Sequence, residues 1–343
     1  MLVGEQTTYR ADFWNPERNN EVDCFLCCHR CRILSGKRGI CGVRENRDGV
    51  LYSLVYGRVI AENPDPIEKK PLYHFLPGTR SYSIATPGCN FRCGFCQNWQ
   101  ISQARGELEK FPRTYVEPRE IVDGALRASC ASIAYTYTEP TIFMEYALAV
   151  ARLAKEKSLK NVFVTNGYET PEAVKAMCGL IDAANVDLKS FSDTFYRSVC
   201  HGRLEHVLNS IRSMHEGGIH IEVTTLVIPS QNDSEEELEK IAGFLSEVSP
   251  DMPWHISRFH PDYQALDTIP TPISTLERAA QIGERKGLRY IYVGNVHDTE
   301  RQHTHCPSCG KTVISRSLMR VTASKLKDGS CAYCGSSLPL ITK

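Results

Sequence analysis

From residue 81 onward, short apolar runs alternate with longer stretches whose apolar residues recur every three or four positions. The runs SYSIAT, ASIAYTY, NVFVTNG, ANVDLKS, IHIEVTTLVIP, PWHISRFHP and LRYIYVGN read as strands. Between them, segments 117–128, 141–157, 171–181, 204–217, 234–247 and 274–286 carry helical periodicity. Several helix starts are marked: VEPREI, ETPEAV and NDSEEEL set Pro, or a capping Asn, Asp or Ser, ahead of acidic first-turn residues. Strands alternating with helices imply parallel βαβ units and right-handed crossovers. Six or seven units suit a partial or complete parallel (β/α) barrel, whose chemistry gathers at the C-terminal ends of its strands. A doubly wound sheet is the competing architecture, but no GxGxxG fingerprint follows any strand.

The flanks read differently. Residues 1–80 form a cysteine-rich extension in which GVLYSLVYGRVIAENPDPIEKKPLYHFLPG suggests short strands and turns broken by prolines. The barrel pattern occupies 81–297, and a short, basic, cysteine-bearing module follows at 298–343. Lys plus Arg equals Asp plus Glu at 40 each, so no global field draws the chain to nucleic acid or an anionic membrane. The start, MLVGEQTTYRADFW, lacks a secretory signal, and no apolar stretch approaches the roughly 18 residues of a membrane span. A cytoplasmic protein is expected. There, fifteen cysteines point to metal or catalytic use more than to disulfides. Twelve fall in groups at 24–41, 89–96 and 306–334. Cys130, Cys178 and Cys200 are scattered and read as buried small hydrophobes.

The middle group, TPGCNFRCGFCQNW at 86–99, follows the first strand and places Cys89, Cys93 and Cys96 within eight residues without a nearby fourth ligand. A structural zinc site wants four ligands and would need a distant one. Three thiolates can instead hold three corners of a cubane iron–sulfur cluster and leave its fourth iron open. Pro87, Gly88, Asn90 and Gly94 let the backbone fold tightly, while Phe91 and Phe95 can exclude water. Other strand ends offer Thr138 and Glu139, Asn166, the like-facing Asp187 and Lys189, and His255 with His260. Each has a plainer reading: a helix-start Glu, a turn Asn, a surface ion pair, structural histidines.

The flanking groups carry metal-ligand spacing. Cys24, Cys27, Cys31 and Cys41, with Cys28 and His29 as spares, suit zinc or a further iron–sulfur cluster. CPSCG and CAYCG place Cys306, Cys309, Cys331 and Cys334 in a zinc-ribbon pattern. From Arg301 to Lys343 there are seven basic residues and one acidic. Such a tail could touch nucleic acid or an acidic protein, although such modules are usually just solvated.

CxxxCxxC is the signature of the radical S-adenosylmethionine (SAM) superfamily, which the chain resembles strongly from about 81 to 297. The aromatic Phe95 before the last cysteine also matches. CFLCCHRCRILSGKRGICGVREN, TPGCNFRCGFCQNWQIS, YTYTEPT, VDLKSF, PWHISRFHPDY and the terminal ribbon make the whole chain resemble the radical SAM protein of the AmmeMemoRadiSam group, itself similar to pyruvate formate-lyase activating enzymes. One departure is Cys28, where that pattern has proline.

The resemblance implies a 4Fe-4S cluster on Cys89, Cys93 and Cys96, whose open iron is chelated by the amino and carboxylate groups of SAM. One electron then cleaves the sulfonium to a 5'-deoxyadenosyl radical that abstracts hydrogen. It further implies a SAM contact at Thr138 and Glu139, an Asp-x-Lys at Asp187 and Lys189 near the cofactor, and an electron donor such as a flavodoxin or ferredoxin. Companion Memo-like and AMMECR-like proteins are implied by the group's name. A protein or peptide substrate is the expectation. RNA modification aided by the basic ribbon is the alternative enzyme, and a metal-ribbon binding module on a barrel scaffold the non-catalytic one.

Overall fold

The apolar runs form one sheet because each is short, rich in β-branched and aromatic residues, and buried on both faces. In the structure, a computed structural model that describes residues 9–103, 106–112, 114–297 and 300–343, that sheet has eight strands. They are β1 (Ala61–Pro66), β2 (Arg80–Ala85), β3 (Ser132–Tyr135), β4 (Lys160–Thr165), β5 (Ala183–Asp187), β6 (His220–Val227), β7 (Trp254–Arg258) and β8 (Ile291–Gly294). Their spatial order is their chain order; β2 to β8 are parallel and β1 is an antiparallel edge. Among the described residues no ladder joins β1 to β8, so the sheet is open.

Helices α1 (Pro118–Arg127), α2 (Met144–Glu156), α3 (Pro171–Met177), α4 (Leu204–Glu216), α5 (Glu235–Val248) and α6 (Ile273–Arg285) cross between strands. Right-handed crossovers between sequential parallel strands put such helices on one face. The expected caps form. Glu117 and Glu120 make a reciprocal capping box, and the Thr170 and Ser234 side chains accept from the Ala173 and Glu237 amides. No helix among the described residues is long and apolar enough to cross a membrane.

The link from β1 to β2 crosses the other face at the N-terminal ends of the strands, where its Ile67, Leu72, Phe75 and Leu76 pack on Ala134, Val162 and Ala183 while polar side chains tie it down further along. Glu222 on β6 accepts from the Tyr73 and His74 amides at 2.9 and 2.7 Å, and Asn185 on β5 donates to Pro71 O at 2.8 Å. This segment is a floor, and it leaves the C-terminal ends of the strands for the site.

Residues 61–66, expected within the N-terminal extension, instead belong to the main sheet. The part before them forms two three-stranded sheets and is tied to α2 by a buried Arg44–Glu145 pair at 2.7 Å. The C-terminal module packs beneath the floor. Ile341 pairs with Phe75, and the fully buried Arg316 donates to Tyr73 O at 2.7 Å. It is docked, not a loose solvated tail.

Candidate active site

β2 ends at Ala85, and the chain turns at once into the cysteine loop, so Cys89, Cys93 and Cys96 lie at the C-terminal end of that strand. Phe91 anchors the loop; its buried ring packs on Tyr168 and Tyr196 at centroid distances of 4.9 and 6.2 Å. Thr138 at the end of β3 donates to Thr86 O at 2.7 Å, tying that strand to the loop's first turn. The loop after β7 closes over it. Gln264 N donates to Gly94 O at 2.9 Å, Tyr263 stacks on Trp99, and His260 Nδ1 meets Gln97 Nε2 at 3.1 Å.

Burial holds the Cys89 thiol well above its ordinary pKa, with the charges of Glu139 and Cys93 adding to it. Cys93 is held up first by the Cys200 thiol against it and then by burial. For Cys96 burial again raises the pKa, opposed by the Ser102 hydroxyl 3.2 Å from its sulfur. Thiols desolvated in this way, Cys93 buried and Cys89 and Cys96 half-buried, keep their protons until a metal displaces them.

Lys189 lies beside this group. Its ammonium bonds Asp187 Oδ2 at 2.8 Å; burial opposes its charge, but Asp187, Cys93 and Cys200 outweigh burial and hold its pKa well above the usual value. Asn166, at the end of β4, donates to Asn90 Oδ1 at 2.7 Å with Cys89 Sγ 4.0 Å away. Its Oδ1, Asn90 Nδ2 and Thr86 Oγ1 are buried polar atoms without a hydrogen-bond partner among the described residues. Unpaired donors and acceptors of this kind at a thiol cluster fit a polar ligand.

The structure thus brings Cys89, Cys93, Cys96, Phe95, Thr138, Asn166, Asp187 and Lys189 around one loop. Glu139 reaches it from below. Its Oε1 lies within hydrogen-bond distance of Thr141 N and the Thr141 and Thr165 hydroxyls, at 3.0, 2.6 and 2.8 Å; among the described residues Oε2 accepts only from Asn166 N, at 2.9 Å. Glu139 therefore clamps the Asn166 turn, and one lone pair of Oε2 is spare. Burial, then the charge of Glu169, pushes its pKa up to about 7. His255 is not brought to the loop. Its Nε2 bonds Glu222 at 2.7 Å and its ring packs on Tyr73, in the floor.

Sequence reasoning passed over Glu169, Ser102 and Cys200. Glu169 Oε1 lies within reach of the same two threonine hydroxyls as Glu139, making a buried carboxylate pair. Cys200 is as buried as expected but sits against Cys93, because the helical segment 193–200 folds back under the loop. No pattern in its own stretch of chain marks it.

In the C-terminal module, Cys306 faces Cys334 at 3.6 Å and Cys309 faces Cys331 at 3.8 Å; all four sulfurs lie within 4.8 Å of one another. The glycines after the second cysteine of each pair, Gly310 and Gly335, have φ of 72° and 78°, a left-handed conformation that lets each knuckle turn back. This group could bind a metal ion.

The Radical SAM superfamily profile matches residues 83–245, from β2 through most of α5. An uncharacterized protein of Methanocaldococcus jannaschii is 42% identical over 334 residues, which cover 96% of this chain and 99% of that one. A second M. jannaschii protein, provisionally named a glycyl-radical enzyme activating enzyme, is 25% identical over 183 residues, covering 52% of this chain and 66% of its own. Among solved structures, Streptococcus suis SuiB bound to precursor peptide SuiA superposes with a TM-score of 0.51 at 15% identity, over 67% of this chain and 52% of that one. That likeness shows the fold alone. The family implies a 4Fe-4S cluster and SAM, and the buried thiols and unpaired polar atoms at the loop fit both. With its cysteine triplet on the loop after β2 and the profile match beginning in that strand, the chain belongs to the radical SAM superfamily and is a radical SAM enzyme.

Proposed function

We propose that this enzyme abstracts hydrogen from a protein or peptide substrate, as an activase-like member of an AmmeMemoRadiSam system. The observation that carries the catalytic part is the Cys89–Cys93–Cys96 loop at the C-terminal end of β2 with Lys189 beside it. Bound there, a 4Fe-4S cluster would supply the single-electron chemistry for reductive cleavage of SAM. Cys89, Cys93 and Cys96 hold the cluster. Lys189, held charged by Asp187, offsets the negative charge of the thiolates. Oε2 of Glu139 has a lone pair for an ammonium, and Asn166 Oδ1 and Asn90 Nδ2 can take the remaining polar groups of SAM. Phe91 and Phe95 keep water from the loop.

The open sheet supports the partial rather than the complete barrel. Sulfur pairs at 3.6 and 3.8 Å support zinc in the ribbon, and fifteen free thiols fit a reducing cytoplasm. RNA as substrate loses support, because two basic residues counted for it are engaged: Arg316 is buried, and Arg301 pairs with Glu277 and Glu284.

The test is anaerobic reconstitution with iron and sulfide, then reductant and SAM, with 5'-deoxyadenosine as readout beside Cys93→Ala. Formation that needs Cys93 supports the catalysis; none, with the cluster intact, favours the scaffold reading. Adding the Memo-like and AMMECR-like proteins in perdeuterated form should carry deuterium into 5'-deoxyadenosine. No deuterium would remove them as substrates.

A further inference from the structure

The cysteines between 24 and 41 take no part in the chemistry above. Cys28 separates from the others, since its Sγ donates to Glu169 O at 3.2 Å and its charged neighbours are Glu169, Arg30, Glu172 and Glu205. The other four converge: Cys24, Cys31 and Cys41 all act electrostatically on Cys27. Nearby backbone amides favour the thiolate forms, His29 for Cys27, Ile40 for Cys31, and Val43 and Arg44 for Cys41. Amide dipoles near a sulfur stabilise thiolate charge.

A second observation points to a ligand there. Arg44 is 2% exposed, lies within electrostatic reach of Cys24 and Cys41, and its Nε is without a hydrogen-bond partner among the described residues. Glu145 occupies only Nη1. A buried guanidinium with an unpaired N–H beside four thiols suits a centre of net negative charge, which four thiolates around one dication or one oxidised cubane would be.

Spacing chooses between those two. Sulfurs bound to a single tetrahedral zinc at about 2.3 Å stand about 3.8 Å apart. Cubane thiolates each bind a different iron and stand farther apart. Among the described residues, the ribbon cysteines alone bring three or more ligand atoms within 4.8 Å of one another; no three sulfurs of the N-terminal quartet stand that close.

We propose that Cys24, Cys27, Cys31 and Cys41 hold a second iron–sulfur cluster, which relays single electrons to the catalytic one. The two ligand loops touch on both sides of Cys89. A Cβ on Gly88 would stand 3.6 Å from Cys41 O and 2.8 Å from Val43 Cγ1, and His29 Nε2 meets Asn90 O at 2.9 Å. In the relay, a reduced one-electron donor protein loses an electron, the second cluster gains it and then loses it to the first; no bond forms or breaks. The existence of the site does not rest on SAM chemistry, although the relay does.

The site is tested in the Cys89/Cys93/Cys96→Ala variant of the full chain, reconstituted without oxygen. About four iron and four sulfide per chain should remain, with a dithionite-reducible paramagnetic signal. Cys27→Ala and Cys31→Ala added to it should remove both while leaving ribbon zinc, whereas Cys28→Ala should remove neither. Two zinc ions per chain without sulfide would overturn the cluster, as would no metal beyond the ribbon's. Wild-type iron needs no variant to fold: about eight atoms per chain supports two clusters, and about four refutes the second. For the relay, the wild type and a Cys31→Ser variant are compared under dithionite and under a reduced flavodoxin. A loss of 5'-deoxyadenosine at least tenfold larger with flavodoxin supports it, and equal losses overturn it. Absence of 5'-deoxyadenosine from the wild type would instead count against the catalytic reading and leave the iron count standing.

Discussion

Replacing Arg316 with Met removes a charge from beneath the floor while keeping much of the side chain's apolar volume. Arg316 Nη2 donates to Tyr73 O at 2.7 Å, and Nη1 to Thr304 Oγ1 and Gln302 O at 2.7 and 3.2 Å. Its guanidinium lies 4.2 Å from the centre of the Tyr73 ring, and Nε stands 3.6 Å from Glu68 Oε1, both side chains being 0% exposed. Glu68 would keep one bond, from Gly78 N at 2.8 Å. Burial already raises its pKa against the pull of Arg316. An unpaired buried charge of this kind costs about 3–5 kcal/mol, so the module should open roughly a hundredfold or more as often. Amide exchange over residues 312–317 and 71–79 should accelerate by that factor, with ribbon zinc retained. Adding Glu68→Gln should recover about 2 kcal/mol, since a neutral amide is easier to bury than a lone carboxylate. Exchange within fivefold of wild type in Arg316→Met, or no recovery with Glu68→Gln, would refute the reasoning.

Other predictions follow from the same distances. Cys89→Ala, Cys93→Ala and Cys96→Ala should each lower iron by about four atoms and abolish 5'-deoxyadenosine while sparing zinc; unchanged iron in all three would sink the cluster assignment. Glu139, at about 7 in the fold against 4.5, binds more protons folded than unfolded in that window, so stability should fall by about 3 kcal/mol as pH rises from 4.5 to 7. Glu139→Gln should flatten that slope in urea titrations at pH 5 to 8, and parallel profiles would count against it. Burial lowers His74 to about 3, so its share of stability is intact above 6.5 and declines as pH drops towards 3. Because His74 O accepts from Ile341 N at 2.8 Å, protection of that amide should weaken across this range; constant protection from pH 7 to 4 would exclude the linkage.

The elements from 81 onward were legible because their signals are local. Strand runs such as NVFVTNG bury both faces, and caps such as Glu117, Thr170 and Ser234 act within one turn of the residues they satisfy. The edge strand Ala61–Pro66 was not legible, since its prolines read as loop and only pairing with β2 makes it part of the sheet. His255 and His260 looked alike along the chain. One fills the floor against Glu222 and the other stands by Gln97 on the cysteine loop.

By itself the sequence determined the alternation of strand and helix, the three cysteine groups and the open ligand position of the triplet. These depend on composition and spacing over a few residues. Only the tertiary structure decided that Cys200 lies against Cys93, that Glu139 and Glu169 share two hydroxyls, that Arg44 faces the N-terminal thiols, and that Arg316 pins the ribbon beneath the floor. Apart from Arg44 with Cys41, three positions away, each of these joins residues about twenty to more than two hundred positions apart. Burial gives such contacts their energy, and burial is a property of the packed chain rather than of any short stretch of it.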